Sequence, residues 1–358
     1  MSEARGPSMS EIKAMLQTQI EPLARALCPQ GSRSGKWWLA SNPTRADDKP
    51  SLGIGLTGVP GAWKDFATGD AGDVFDLIAY VNGFPSMKQD VRETMRFARA
   101  WLGIEGAAPA QVQTRIHAAK VDAERRAKEA AARLEKAQRR AKAIYLDAKK
   151  LPFNDTLAAT YLATRGLDVR TLGRPLGCLG YLDEMWHSDS DSKWPVMIAA
   201  FTDNDGRAVA IHRTYLARDG RSKAPVTPAR KIWPAFGGAA IRLWRGESGL
   251  SIDKANEQAR KHGTRETLIL VEGVEDGLSV AIAAPQYRVW CAGSLSNLAN
   301  IKLPECVDEV IVCADNDWGK SQAQQLLERG IDALGSQNVV VRVARSNRGK
   351  DMNDALVA

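Results

Sequence analysis

The sequence predicts a multidomain α+β chain that closes with an α/β unit built on a parallel sheet. Between Glu266 and Ala358, continuous apolar runs (Leu268–Val271, Val289–Cys291, Val310–Ala314, Val339–Val343) alternate with helix-period stretches. Strands buried on both faces read this way, which marks a parallel sheet covered by helices. Upstream, alternating strand patterns flank Asp205-Gly206, a hairpin signal;. At 358 residues the chain exceeds the roughly 250 residues at which single cores stop growing. Four domains are expected: residues 1–105, small and β-rich; 106–150, a basic helical linker; 151–262, an α+β subdomain; and 263–358, the α/β unit.

Each element has a local cause. In the first region, turn signals separate short strand-like pieces at Lys36–Ala40, Ser51–Leu56 and Ala62–Asp65, followed by helices at Asp73–Val81 and Met87–Leu102;. Gly106–Gln111 reads as a linker, and Ala118–Ala148 as one long helix of strong helix formers;. Its apolar positions (Leu134, Ile144, Leu146) are too few for a coiled-coil seam. The third region holds a helix at Leu157–Arg165 and strands at Pro195–Thr202, Val209–Leu216 and Ala239–Trp244. In the fourth, helix patterns fall at Gly277–Ala284, Leu295–Asn300 and Lys320–Leu334.

Composition narrows the function classes. Apolar residues make up 44% and charged residues 25%, which excludes wholesale disorder and collagen-like repeats. No stretch approaches the ~20 apolar residues that span a bilayer, and no signal peptide is evident, so a soluble cytoplasmic protein is expected. The five cysteines are scattered and never form C-x-x-C, which argues for a reducing compartment and against a cysteine-built zinc site. Between Lys120 and Lys150, eleven basic residues face five acidic ones, so this segment carries nearly the whole surplus of +7. It is either a face for a polyanion such as nucleic acid or a solvated helical spacer.

Carboxylates stand where the parallel strands end. Leu268–Val271 delivers Glu272 and Gly273; Val310–Ala314 delivers Asp315 and Asp317. Functional groups in open α/β sheets collect outside the carboxyl ends of strands, so these acids are expected in one crevice. Three carboxylates that close repel one another unless a cation neutralises them, and hard oxygen ligands favour Mg²⁺ or Mn²⁺. A further cluster, Lys350-Asp351-Met352-Asn353-Asp354, follows the last strand. The other reading is that these acids are turn residues and helix caps.

LILVEGVEDG (Leu268–Gly277), VIVCADND (Val310–Asp317) and GKDMND (Gly349–Asp354) together resemble the three signature motifs of the Toprim domain, shared by bacterial-type primases, topoisomerases and some nucleases. The resemblance implies metal or acid/base work for Glu272, Mg²⁺ at Asp315 and Asp317, and Asp351 as a further acidic ligand. Primases commonly carry Asp-Pro-Asp where this chain has Asp351-Met352-Asn353, which leaves Asp354 as a substitute for the second carboxylate.

The first region is similar to the zinc-binding domain that opens bacterial primases, with its ligands replaced. Asn42-Pro43-Thr44-Arg45 stands for the first ligand pair, then Lys49-Pro50-Ser51-Leu52; Trp63–Gly69 covers the second pair, and Gly72–Ile78 completes the pattern. No structural zinc is therefore expected. Tyr161–Leu167 resembles a primase phrase in the subdomain before Toprim. Arg213, Lys223, Arg230, Lys231 and Lys350 are candidates for template or triphosphate phosphates, or solvated surface cations. Trp37, Trp38 and Trp63, near Lys36 and Lys64, either stack unpaired bases or fill a small core.

The resemblance implies a phage- or plasmid-type DNA primase, making short RNA from NTPs on single-stranded DNA with a separate helicase as partner. A weakly catalytic single-stranded DNA-binding accessory protein and a Toprim nuclease are the competing readings. A topoisomerase is disfavoured because all six tyrosines lie in ordinary apolar patterns;.

Overall fold

A computed structural model describes residues 6–45, 50–316, 321–346, 349 and 351–357. The chain divides into two compact units, Met1–Arg133 and Leu134–Ala358. Among the described residues no helix is long and apolar enough to cross a membrane.

The first unit opens with α1 (Met9–Thr18) and α2 (Ile20–Leu27), which the sequence reading did not anticipate. Helix α1 starts on a capping box in which Ser8 and Glu11 each accept the other's backbone amide;. A five-stranded antiparallel sheet follows in sequential order: β1 (Ser32–Ser34), β2 (Trp37–Ala40), β3 (Leu52–Gly55), β4 (Trp63–Asp65) and β5 (Ala71–Gly72). Helices α3 (Val74–Asn82) and α4 (Arg92–Trp101) complete it. Asp73 caps α3 by accepting the Phe75 and Asp76 amides, and it also pairs with Lys13 at 2.6 Å;. The α-helices bury Ile12, Leu16, Leu23, Leu77 and Ile78 against Leu52 and Ile54 of β3. Trp38 and Trp63 are core residues, whereas Trp37 is 42% exposed.

The zinc-ligand positions of the resemblance converge on a polar hub. Asp65 is fully buried and receives Asn42 Nδ2 at 3.1 Å, Arg45 Nη2 at 3.1 Å, Tyr80 Oη at 3.1 Å and the Ala67 amide at 2.9 Å. The Thr68 amide adds a longer bond at 3.4 Å. These contacts join the loop after β2 to the turn after β4.

Helix α5 (Pro109–Asp147) begins earlier than expected and absorbs part of the predicted linker. Its Val112, Ile116 and Ala119 belong to the core of the first unit. Much of its charge is matched internally: Arg125 pairs with Asp122 and Glu129, Arg126 with Asp122, Arg133 with Glu129, and Arg139 with Glu135;.

The second unit is organised by one nine-stranded sheet. Its elements are α6 (Leu157–Thr164), β6 (Leu179–His187), β7 (Ser192–Thr202), β8 (Ala208–Tyr215), β9 (Arg230–Trp233), β10 (Ala240–Arg245), α7 (Ile252–His262), β11 (Glu266–Val271), α8 (Val274–Ala283), β12 (Arg288–Cys291), α9 (Leu295–Leu298), β13 (Val307–Ala314), α10 (Ser321–Gly335), β14 (Val340–Arg345) and α11 (Met352–Val357). The strand order is β14-β13-β11-β12-β10-β7-β8-β9, with β6 also on β7. Strands β11 to β14 are parallel, as their apolar runs predict. The antiparallel pairing of β10 with β12 continues the sheet into the hairpin region, so the boundary expected at 262/263 falls within one sheet. Ala141 of α5 and Ala148, just after it, pack on Val196, Ile198, Ile211 and Tyr215. Strand β14 is an edge strand, with Val340 and Val343 54% and 44% exposed, where the sequence pattern suggested a buried one.

Burial opposes the charge of Asp65, but Arg45, the Ala67 amide, Asn42 and Tyr80 outweigh it and hold the carboxyl well below the usual carboxylate range;. Asp65→Ala is expected to destabilise the first unit by about 3 kcal/mol, because breaking a buried pair strands its partners; a lower denaturant midpoint in tryptophan fluorescence checks this. A depressed folded pKa adds stability above the unfolded value of about 4, lost as pH falls through the folded value. Asp65→Asn should therefore reduce the acid sensitivity of this unit.

Candidate active site

Strand β11 ends at Val271, and Glu272 and Gly273 make the turn into α8. The half-buried Glu272 is held by its backbone: its carbonyl accepts the Cys291 thiol at 2.9 Å and the Gly293 amide at 3.1 Å. Burial pushes the Cys291 thiol pKa up, so it stays a protonated donor. Helix α8 begins three residues before the predicted start, which brings Glu275 and Asp276 into its first turn. The helix approaches the sheet closely at Gly277, where a Cβ would fall 2.3 Å from Leu243 Cδ1;.

Asp276 is the site residue that sequence reasoning missed. A Cβ on Gly273 would lie 2.7 Å from Asp276 Oδ2, so glycine there lets the carboxylate fold back toward the strand end. Burial comes first, and then the charges of Asp351 and Asp315, in pushing the Asp276 pKa up to about 6;. Asp276, Asp315 and Asp351 therefore share one electrostatic field. The available signal was the position of Asp276, four residues past Glu272 in the first turn of the helix that follows the strand.

Neighbouring contacts fix the loops that carry the other acids. Asn316 Nδ2 donates to the carbonyls of Ser346 at 2.9 Å and Gly349 at 3.1 Å, and Arg345 Nη1 donates to the Asp315 carbonyl at 2.6 Å. Asp351 caps α11 by accepting the Asp354 amide at 2.9 Å;. Asn353, only 2% exposed, ties α11 to α8: its amide donates to Asp276 Oδ1 at 3.3 Å and its Nδ2 to Ser279 Oγ and the Arg165 carbonyl, both at 3.1 Å. A carboxylate at 353 would lose both side-chain donations. Asp354 packs toward Gly349, whose Cβ position lies 2.4 Å from Asp354 Cβ. Asp317 and Lys350 lie outside the described residues.

The predicted cations fall on two faces. Arg213 pairs with Lys231 across β8 and β9, and Thr214 with Arg230, so consecutive residues alternate sides;. Lys231 is bonded to Asp189 at 2.6 Å and Ser188 at 3.0 Å, and Arg213 Nε is buried without a hydrogen-bond partner. Lys223 bonds Glu275 at 3.0 Å, and the Tyr161 hydroxyl donates to the same oxygen at 2.9 Å. Burial disfavours the Glu275 charge, yet Lys223 and Tyr161 outweigh it and bring its pKa down to about 2. The buried His212 is held down to about 4, chiefly by burial, and is neutral near pH 7.

Among the described residues no group of three His, Cys, Asp or Glu side chains is assembled closely enough to hold a metal ion. The donor set nevertheless fits a hard divalent cation. All its atoms are carboxylate oxygens, and the like-charge field on Asp276 is the kind a cation relieves;.

Two family models match the chain. Residues 135–243 match one described as a domain of unknown function, DUF7146, and residues 267–358 match the Toprim domain. The C-terminal part of the second unit is a Toprim domain. No curated protein matches the chain. Among solved structures, it is similar to the zinc-binding and RNA polymerase domains of the Aquifex aeolicus primase (16% identity, 97% of this chain and 82% of that one, TM-score 0.38). It is also similar to a DNA primase domain from Pseudomonas aeruginosa (16%, 62% and 73%, 0.38) and to the primase fragment of the bacteriophage T7 primase-helicase protein (15%, 58% and 72%, 0.36).

A raised folded pKa means that Asp276 supports the metal-free fold at low pH, and that this support is lost as pH rises from about 4 through about 6;. In EDTA, the wild-type melting temperature should fall across that window, whereas Asp276→Asn should flatten the profile and hold or raise stability at pH 7. Thermal unfolding from pH 4 to pH 7 measures both.

Proposed function

We propose that this chain is a DNA primase of the phage or plasmid type, which makes short RNA from NTPs on single-stranded DNA. The observation that supports it most is the shared field of Asp276, Asp315 and Asp351 at the carboxyl edge of the Toprim sheet. Glu272, Asp276, Asp315, Asp317 and Asp351 would hold Mg²⁺ or Mn²⁺, which when bound supplies charge neutralisation and alignment for phosphoryl transfer.

The chain's own residues then divide the work. Asp276, with its pKa raised to about 6, is still mostly ionised near pH 7 and so offers a carboxylate oxygen to the site. Glu272, at the strand end, takes the proton from the attacking 3′-hydroxyl or shares the cation. Lys223 neutralises Glu275 and so steadies the first turn of α8 beside Asp276. Arg230 and Lys350 would hold the triphosphate, while Arg213 and Lys231, on the sheet face opposite Arg230, would take template phosphates;. On the first unit, exposed Trp37 and Phe66 both lie near Gly53, and the Lys64 ammonium is 5.9 Å from the Phe66 ring. Exposed rings beside a cation suit stacking of unpaired bases. The replicative helicase would be a separate partner chain.

The test is incubation with single-stranded DNA, labelled NTPs and Mg²⁺, scored for short RNA against shortened DNA. Asp315→Ala and Asp317→Ala should each lower RNA synthesis at least ~100-fold, or about 2.7 kcal/mol of transition-state stabilisation, with folding retained. Glu272→Gln should lower turnover more than DNA affinity. Near-normal synthesis by either aspartate variant would remove the metal assignment. Shortened DNA without RNA would instead mark a nuclease, and DNA binding with neither product an accessory protein.

A further inference from the structure

A cavity of about 600 Å³ lies away from the carboxylates, and its lining includes Arg174, Arg242, Arg245, Arg288 and Trp244. Strand β10 runs antiparallel to β12, with Arg245 opposite Arg288, the first residue of β12. The cavity thus extends toward the amino ends of the parallel strands, while Glu272 follows the carboxyl end of β11.

Its arginines are not equivalent. Arg288 is 3% exposed and already satisfied, by Glu266 at 2.6 Å and the Leu250 carbonyl at 3.2 Å. Arg174 lies over Trp244, its guanidinium 4.2 Å from the ring centroid, and donates to the Gly246 carbonyl. Arg242 is half-buried over Trp290, 4.9 Å from the ring centroid, and its Nε is buried without a hydrogen-bond partner. Trp290, 1% exposed, has its own indole N–H unpartnered. Among the described residues Arg242 has no carboxylate within ion-pair distance. Burial pulls its pKa down, against more distant attraction from Asp203 and Asp253, and Asp203 is itself engaged by Arg207 at 3.1 Å. Arg245 is exposed.

A guanidinium stays charged at any ordinary pH. Holding one partly desolvated, without a carboxylate, is unfavourable unless an anion completes it. The opposing acids in the lining are Asp205, already engaged by Arg207, and Asp253. Among the described residues three lining cations, Arg174, Arg242 and Arg245, have no carboxylate within ion-pair distance and therefore outnumber the acid left to oppose them. The volume is in the range of small-ligand pockets, about 300–1,000 Å³, and Tyr145 and Trp244 supply aromatic wall. We propose that this cavity binds a free nucleotide through its phosphate group, with Arg242 and Arg245 as the phosphate ligands. The proposal does not depend on the primase reading.

Full-length protein titrated calorimetrically in EDTA with ATP, and separately with inorganic triphosphate, tests it. Both should bind, and Arg242→Gln and Arg245→Gln should each weaken both by at least about tenfold, which is about 1.4 kcal/mol. Arg245 is exposed, so its variant keeps the test open if Arg242→Gln fails to fold by circular dichroism. Unchanged affinity in the folded variants overturns the proposal. So does binding of ATP without triphosphate, which would assign recognition to the base. Loss of single-stranded DNA binding in the variants with nucleotide affinity intact also overturns it, and would assign the arginines to a nucleic-acid surface.

Discussion

Parallel strands β11 and β13 are neighbours in register, and this one constraint governs the acidic crevice. Leu268 to Leu270 pair with Val310 to Val312 residue for residue, so the loops that follow must leave the sheet side by side. Glu272 and Asp315 cannot separate without breaking that ladder. Asp276 is added by the first turn of α8 and Asp351 by the cap of α11, and the Asn353 contacts bind these two helices together. Burial, and then repulsion from Asp351 and Asp315, surface together as the raised pKa of Asp276;.

Elsewhere the molecule treats buried charge in the opposite way. Asp65 gathers Arg45, Asn42, Tyr80 and a backbone amide, and Glu275 gathers Lys223 and Tyr161. Each carboxylate is held ionised by its partners despite burial. Asp276 is the exception: burial and neighbouring carboxylates raise its pKa. A structural carboxylate brings its counter-charge from within the chain, whereas one that meets a ligand leaves that role open. Arg242 is the cationic counterpart of Asp276, a partly buried charge with no carboxylate partner within ion-pair reach among the described residues.

In the first unit a polar hub ties two loops together. Loops after β2 and β4 are joined through Asp65 by hydrogen bonds and one ion pair with Arg45. Such a hub depends on the charge of a single carboxyl, so it responds to acid.

Much of this was legible in the chain itself. The parallel sheet declared itself because strands buried on both faces must be apolar throughout, and the strand-end positions of Glu272 and Asp315 followed directly from those runs. Asp351 was legible as an acid following the last strand, though not as a helix cap. Edge strand β14 escaped the same rule, since an apolar run does not reveal whether a neighbour covers it. Helices α1, α2 and α7 were missed, although Ile20, Leu23, Ala24 and Leu27 recur at i, i+3, i+4 and i+7 along α2;. The partners of single side chains depended wholly on tertiary structure. Spacing does not reveal that Lys223 and Lys231 meet Glu275 and Asp189, or that Asp276 shares a field with Asp315 and Asp351. Pairing across distant segments is set by how the strands dock, and burial then decides what each charge is worth. Local sequence determined which residues stand at the sheet edge; only the packed sheet decided which of them remain in want of a partner.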